Sequence, residues 1–488
     1  MDMLRYLGSR LHRIVGAEVQ AQDDPAASKP PMDIDDMLAE EEFSEDEREK
    51  WYQTRTWGPF MAITDETFSY LVHLHMEKHG KVSGTLFRVE NRLHGSYNYA
   101  VVLGNGISKL VVKIPVVGTK DRWDPGHANI MRSEAHTLMY IKHKLPHFPC
   151  PELLAKDETF DNPISAPYLM QSFLEGRLAQ DLWYEGLPVA GDHLVGQEDS
   201  NKPPEELETK RIAFLSSLAT TMAELRHLEF DSIGMLYLEN EADPESFYIG
   251  PHYDFSGMLK RVYIERRVFK TSTALYIQQR MRHCGTDTDG ADFMRAEVLK
   301  SAPFAASKKR QTDDQETFTL SFNDLDLQNV LVNDAGDVTG ILDWDDVTIL
   351  PRCVGFTTVP VFLQEDFKWC YSMPNIAELF PWTLTKYRKV YAAAMKKACS
   401  DCEEVAQYCE KSALYMAIHN VMYGDRGWGQ DREGALMRKL LLEIPELRSA
   451  NLQALRTYIC RDENGDYRMD VCDFWVDRIR QILDPGTK

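Results

Sequence analysis

The stretch 321–346 constrains this chain more than any other part of it. Residues 330–332 and 338–342 read as two short strands, and Asn333-Asp334-Ala335-Gly336-Asp337 between them reads as a Gly-containing hairpin loop. Pairing Val332 with Val338 carries Asn329 and Asp343 to the open end of that hairpin, and Asp324 sits on the loop just before it. Two carboxylates and an amide carbonyl gathered in this way form a hard-oxygen set, the kind that suits Mg2+ bridging nucleotide phosphates.

The N-terminal half supplies what such a set needs opposite it. Residues 89–93, 98–103 and 109–114 read as three antiparallel strands, the first two joined by His94-Gly95-Ser96-Tyr97 and the last two by a turn at Gly104-Asn105-Gly106. In the third strand Leu110, Val112 and Ile114 share one face by the period of two, which puts Lys113 on the other beside Val111. A helix follows over about 128–144, with Met131, Ala135, Leu138 and Met139 as its apolar stripe. Glu134 falls inside that stripe, and a buried carboxylate needs a cation. Lys113 is the nearest candidate in sequence. Residues 167–173 read as a further strand closing this sheet and leading to Glu175-Gly176. Beyond a polar insertion over 189–208, helical patterns cover 211–228, 258–282, 382–399, 403–423 and 432–442, so the second half is expected to be mainly helical apart from the one hairpin.

Composition narrows the partners. The chain has 488 residues, 43% of them hydrophobic, enough for a full core. Lys and Arg number 55 against 76 Asp and Glu, a formal charge of −21, which disfavours a surface built for nucleic-acid phosphates or anionic lipid. Small cationic partners or metal-bridged anions fit better. No apolar run approaches the roughly 18 residues of a membrane span. Nine scattered cysteines do not resemble a disulfide framework, and Cys399-x-x-Cys402 lies in a helical pattern with no second pair, so it reads as ordinary helix rather than a zinc site. A soluble, cytoplasmic protein is expected. Leu4, Leu7, Leu11, Ile14 and Val15, with Arg5, Arg10 and Arg13 between them, leave a mitochondrial presequence as the alternative. Over 33–49 ten carboxylates face only Arg48, so this stretch carries −9 of the total and reads as a solvated linker.

The spacing Asp-x-x-x-x-Asn, followed about a dozen residues later by Asp, is shared with kinase catalytic loops. Together with Lys113 and Glu134 in that order, it gives the chain a family likeness. The sequence resembles the aminoglycoside phosphotransferase and choline kinase-like family, in particular its fungal branch, over about 85–430. The carriers are Val112-Lys113-Ile114-Pro115, Ser133-Glu134-Ala135, Tyr168-Leu169-Met170 running to Glu175-Gly176, Phe230-Asp231-Ser232-Ile233-Gly234, and Asp324 to Asn329 through Gly340-Ile341-Leu342-Asp343-Trp344. The resemblance implies an α+β, protein-kinase-like bilobal fold with ATP between the lobes. It divides the chain into an acidic segment 1–50, an N-lobe 51–175 with an antiparallel sheet and one helix, and a helical C-lobe 176–488 holding the catalytic loop 322–346. It implies Asp324 as catalytic base, Asn329 and Asp343 as Mg2+ ligands, Lys113 on the phosphates and Glu134 orienting Lys113. Backbone groups around Gly95 and Ser96 would meet the phosphates, and those of Gln171 and Phe173 the adenine. Asp326, Asp345 and Asp346 are candidates to receive a cationic acceptor.

One departure stands out. Such families carry His-Gly-Asp or His-x-Asp at the catalytic loop, whereas Phe322-Asn323 precede Asp324 here. In related kinases that His is largely a packing residue, which an aromatic ring can replace. The reading is therefore an ATP- and Mg2+-dependent phosphotransferase acting on a hydroxyl of a small cationic metabolite, with a monomer slightly favoured. The alternative is a pseudokinase, a nucleotide-binding scaffold acting through protein partners. No Ala-Pro-Glu segment follows Asp343, which argues against a kinase of proteins.

Overall fold

The computed structural model describes residues 54–80, 86–190, 194–255, 263–276, 315–367, 379–423 and 477–484, apart from isolated positions within them. The acidic segment 1–50, the helical pattern at 432–442 and Asp346 lie outside the described residues.

Helix α1 (Asp65–Lys78) begins where Thr64 accepts the Thr67 amide at its side chain, with Asp65 and Glu66 in the first turn favouring the positive end of the helix dipole. Strands β1 (Arg88–His94), β2 (Asn98–Gly104) and β3 (Lys109–Pro115) form the expected meander. Helix α2 (Pro125–Lys144) starts at an Asp124 cap with Pro in its first turn. Strands β4 (Leu153–Asp157) and β5 (Tyr168–Ser172) complete an antiparallel sheet of order β1-β2-β3-β5-β4. Leu110, Val112 and Ile114 of β3 pack against Phe68, Leu71 and Val72 of α1. On the opposite face Leu169 packs against Met131 and Ala135 of α2. The sheet is thus covered by a helix on each side. The reading anticipated only α2, although Phe68, Leu71 and Val72 stand at the i, i+3, i+4 spacing of a buried face.

The chain then leaves the sheet at Glu175-Gly176. Gly176 has φ +147°, and a Cβ there would meet Thr339 Oγ1 at 2.4 Å, so the close crossing of connector and hairpin needs glycine. Strand β6 (Arg177–Leu178) adds itself to the hairpin, pairing with Val332 and Leu331. The lower lobe holds helix α3 (Glu205–Ala223) and hairpin β7 (Met235–Leu238) with β8 (Phe247–Gly250). A second hairpin pairs β9 (His252–Phe255) with β10 (Tyr263–Arg266). Strand β11 (Phe318–Phe322) precedes β12 (Val330–Val332) and β13 (Val338–Ile341), and β14 (Val347–Pro351) returns beside β11. Helices α4 (Pro381–Ala398) and α5 (Ser412–Tyr423) follow. The lower lobe is therefore richer in strands than the reading allowed. Tyr263–Arg266 is a strand inside the stretch read as helix 258–282, because it is the ladder partner of His252–Phe255. Helix α2 joins the lobes: Leu138, Tyr140 and Ile141 enter the large lower core, and Leu238 donates its amide to His136 Nδ1 at 2.9 Å.

Candidate active site

The site assembles around Lys113. Alternation along β3 turns its side chain away from the α1 face and toward α2, where Nζ donates to Glu134 Oε1 at 2.7 Å. The same ammonium donates to Asp343 Oδ1 at 2.6 Å, a contact that spans the two lobes. Burial alone would pull the Lys113 ammonium down, but Asp343, Glu134 and Asp345 outweigh it and hold its pKa above the usual range. Glu134 is 4% exposed, and burial pushes it up to about 7 despite Lys113, with Asp345 and Asp343 adding to the rise.

Opposite Lys113, two ladders fix the floor. In the β12–β13 pair Val332 lies against Val338 and Val330 against Ile341, and the Leu342 amide donates to the Asn329 carbonyl at 2.8 Å, so Asn329 and Asp343 meet at the open end. In the β11–β14 pair Phe322 lies against Val347, which brings the residues before Asp324 and after Asp345 together. Asn329 donates its side-chain amide to the Asp324 carbonyl at 2.9 Å and to Asp324 Oδ2 at 2.8 Å. Both contacts use the amide nitrogen and leave Asn329 Oδ1 as an acceptor. Asp343 sits at φ +60°, a conformation a non-glycine residue seldom keeps without surrounding support. The support is Trp344, fully buried next to it. Its ring meets Phe322 edge-on at 5.0 Å and 80° and Phe148 at 5.8 Å and 80°, while Nε1 donates to the Ile341 carbonyl at 2.9 Å. The ring at position 322 thus packs against Trp344, in the segment that carries Asp343, as its substitution for His required.

The electrostatics of this floor are unbalanced. Burial, with Asp326 and Asp343 nearby, pushes Asp324 up to about 7 against the lowering effect of the Asn329 hydrogen bond. Asp345 is raised by burial and by Asp343, with Lys113 and the Asn98 amide opposing. Three carboxylates, Glu134, Asp343 and Asp345, act on the Lys113 ammonium, and Asp324 lies beside Asp343 and Asp345 with no cation of its own among the groups that act on it. A divalent cation relieves such an excess, and Asn329 Oδ1 with the Asp343 carboxylate are the oxygen donors it would take. Among the described residues no three His, Cys, Asp or Glu side chains converge as a ready-made metal cluster, so phosphate oxygens would complete the coordination.

Other expected residues are placed as follows. The Gly95 amide donates to the Asn98 carbonyl at 3.0 Å and closes the β1–β2 turn, so of the two named there Ser96, at the tip, keeps the amide uncommitted within the chain. Gln171 sits mid-strand between Val111 and Leu153, and the Phe173 amide donates to the Lys109 carbonyl at 3.4 Å. The Phe173 amide is thus taken up by Lys109, and the next amide along the chain belongs to Leu174. Asp326 caps the short turn Leu327–Asn329 by accepting the Leu327 amide at 2.8 Å. Asp345 accepts from Asn98 at 3.3 Å and lines a cavity with Lys113 and Glu134. Asn98 escaped the sequence reading altogether. An Asn at a strand start gives no local signal of a partner 245 residues away.

Comparison with known proteins gives the family. The profile described as Phosphotransferase enzyme family matches residues 90–360, more than half of the chain. Among curated proteins, "Altered inheritance of mitochondria protein 9, mitochondrial" of Candida glabrata is 23% identical over 276 residues, covering 52% of this chain and 39% of that protein. The protein of the same name in Lodderomyces elongisporus is 27% identical over 156 residues, covering 32% and 22%. The chain thus spans well under half the length of these relatives. Among solved structures, aminoglycoside phosphotransferase APH(4)-Ia overlays with a TM-score of 0.38 at 15% identity, covering 77% of this chain and 99% of that one. Macrolide 2'-phosphotransferase type I gives 0.36 at 14%, covering 77% and 98%. These overlays are loose, and membership rests on the profile match.

Proposed function

The chain belongs to the phosphotransferase enzyme family, and from that premise we propose that its cleft moves the γ-phosphoryl group of ATP to a hydroxyl of a small cationic metabolite. The observation that carries this reading is the Lys113 ammonium held between Glu134 and Asp343 across the cleft. Glu134 keeps Lys113 in place, so that on nucleotide binding the ammonium can exchange Asp343 for phosphate oxygens. Asn329 fixes Asp324 through Oδ2, which leaves Oδ1 to accept the proton of the acceptor hydroxyl. A carboxyl poised near 7 suits that task, and a bound Mg2+ at Asn329 and Asp343 would supply positive charge to the phosphates. The Leu174 amide and the Ser96 amide are the backbone donors proposed for adenine and phosphate. The acidic floor and the net charge of −21 favour an acceptor bearing an amine.

No described helix is long and apolar enough to cross a membrane. The names of the relatives place those proteins in mitochondria. The matching proposal here is that the basic, apolar pattern at 4–15 directs the chain to that organelle. The test of activity is transfer of labelled γ-phosphate to a panel of amino alcohols and amino sugars with Mg2+. Asp324→Asn is expected to lower kcat by roughly 100- to 10,000-fold. Transfer at the wild-type rate in that variant would remove Asp324 from its role.

A further inference from the structure

Asn98 has its backbone in one lobe and its side chain on the other. As the first residue of β2 it pairs with Pro115, and its carbonyl accepts the Gly95 amide that closes the covering turn. Its side-chain Nδ2 crosses the cleft and lies 3.3 Å from Asp343 Oδ1 and 3.3 Å from Asp345 Oδ2. These two carboxylates flank buried Trp344 and repel each other.

We propose that Asn98 is a positioning residue for the cation site: its amide clasps the covering turn to Asp343 and Asp345 and sets the orientation in which Asp343 meets the cation. The inference rests on the phosphotransferase reading above. Asp343 Oδ1 receives two donors, Lys113 and Asn98, which leaves Oδ2 for a cation. Once Lys113 turns to phosphate, Asn98 is the remaining side-chain donor on Oδ1. The residue type fits the task. An amide orients both carboxylates without adding charge, whereas a lysine or arginine would neutralise the floor and compete with the cation. The clasp also links closure of the turn to the state of the metal ligand, because the residue that seals the turn is the one that holds the carboxylate.

The test titrates Mg2+ into the full-length protein at a fixed concentration of a non-hydrolysable ATP analogue, reading binding by calorimetry, for wild type, Asn98→Ala and Asn98→Leu. Leu branches at Cγ as Asn does, so it keeps a side chain of similar shape while removing the amide's donors and its acceptor. Both variants should need about tenfold more Mg2+ for half-saturation, the scale on which groups orienting metal ligands act. Affinity for the analogue without metal should change by much less than the Mg2+ requirement does. An unchanged Mg2+ requirement in either variant, or an equal loss of metal-free affinity, overturns the clasp and leaves the phosphotransferase reading standing. If wild type itself shows no Mg2+-linked binding, that reading falls and takes the inference with it.

Discussion

The two sides of the cleft hold charge in different ways. Lys113 and Glu134 stand on a central strand and a well-capped helix, in regular backbone, and each is a direct partner of the other. Asp324, Asn329, Asp343 and Asp345 stand on turns between short strands, with one residue at positive φ and more negative charge than the side chains around them can balance. The first side is complete as folded. The second is held in shape by Phe322, Trp344 and Phe148 but remains electrostatically unfinished. The difference supports the proposal of a cation on the second side, whose geometry is fixed while its charge is not.

That contrast can be broken from either side. The largest effect is expected from Lys113→Met, which strips the ammonium from Glu134, Asp343 and Asp345; losing one partner of a buried pair costs about 3–5 kcal/mol. Chemical denaturation should show a smaller loss at pH 5 than at pH 8, because Glu134, held up to about 7, is then mostly neutral. A loss equal at both values would show that the carboxylates do not act on Lys113 as described. Phe322→Ala should cost about 3 kcal/mol through the cavity beneath Trp344. Under 1 kcal/mol would mean that Asp343 keeps its conformation by other means. Asp324→Asn is expected to act in the opposite direction and by less. In the metal-free protein Asp324 binds its proton up to about pH 7, whereas an unfolded Asp releases it near 4. Between those values the native state holds more protons, so this residue's contribution to stability falls as pH rises. The variant lacks that loss and should be more stable than wild type at pH 8, by less than the roughly 4 kcal/mol that a rise from near 4 to about 7 represents because Asp324 is only partly shielded from water, with the gain gone at pH 4. A variant less stable than wild type at pH 8 would contradict the raised pKa.

The same division marks what the sequence could reveal. Lys113 and Glu134 follow from the periods of two and 3.6 in their own elements, and the Asn329–Asp343 meeting follows from one short hairpin. Each is local, and each is found in the structure. Strands such as Met235–Leu238, buried at all four positions, show no alternation and cannot be told from helix by period. The α1 signal was present in Phe68, Leu71 and Val72 but lies ahead of the kinase-like motifs that drew the reading. That the Phe173 amide is taken up by Lys109 was not legible either, because sheet register, not side-chain pattern, decides which way an amide points. The Asn98 contacts depend on the closed arrangement of two lobes, which no window of sequence contains.

The central claim is that the floor of the cleft binds a divalent cation together with a nucleotide. Thermal unfolding of wild type and Asp343→Ala with ATP, with and without Mg2+, tests it directly. Ligand at 100 times its dissociation constant adds about 2.7 kcal/mol, a clear rise in melting temperature. A Mg2+-dependent rise in wild type that Asp343→Ala loses is the predicted result; no rise with Mg2+ and ATP in wild type, or an equal rise in both proteins, would contradict it.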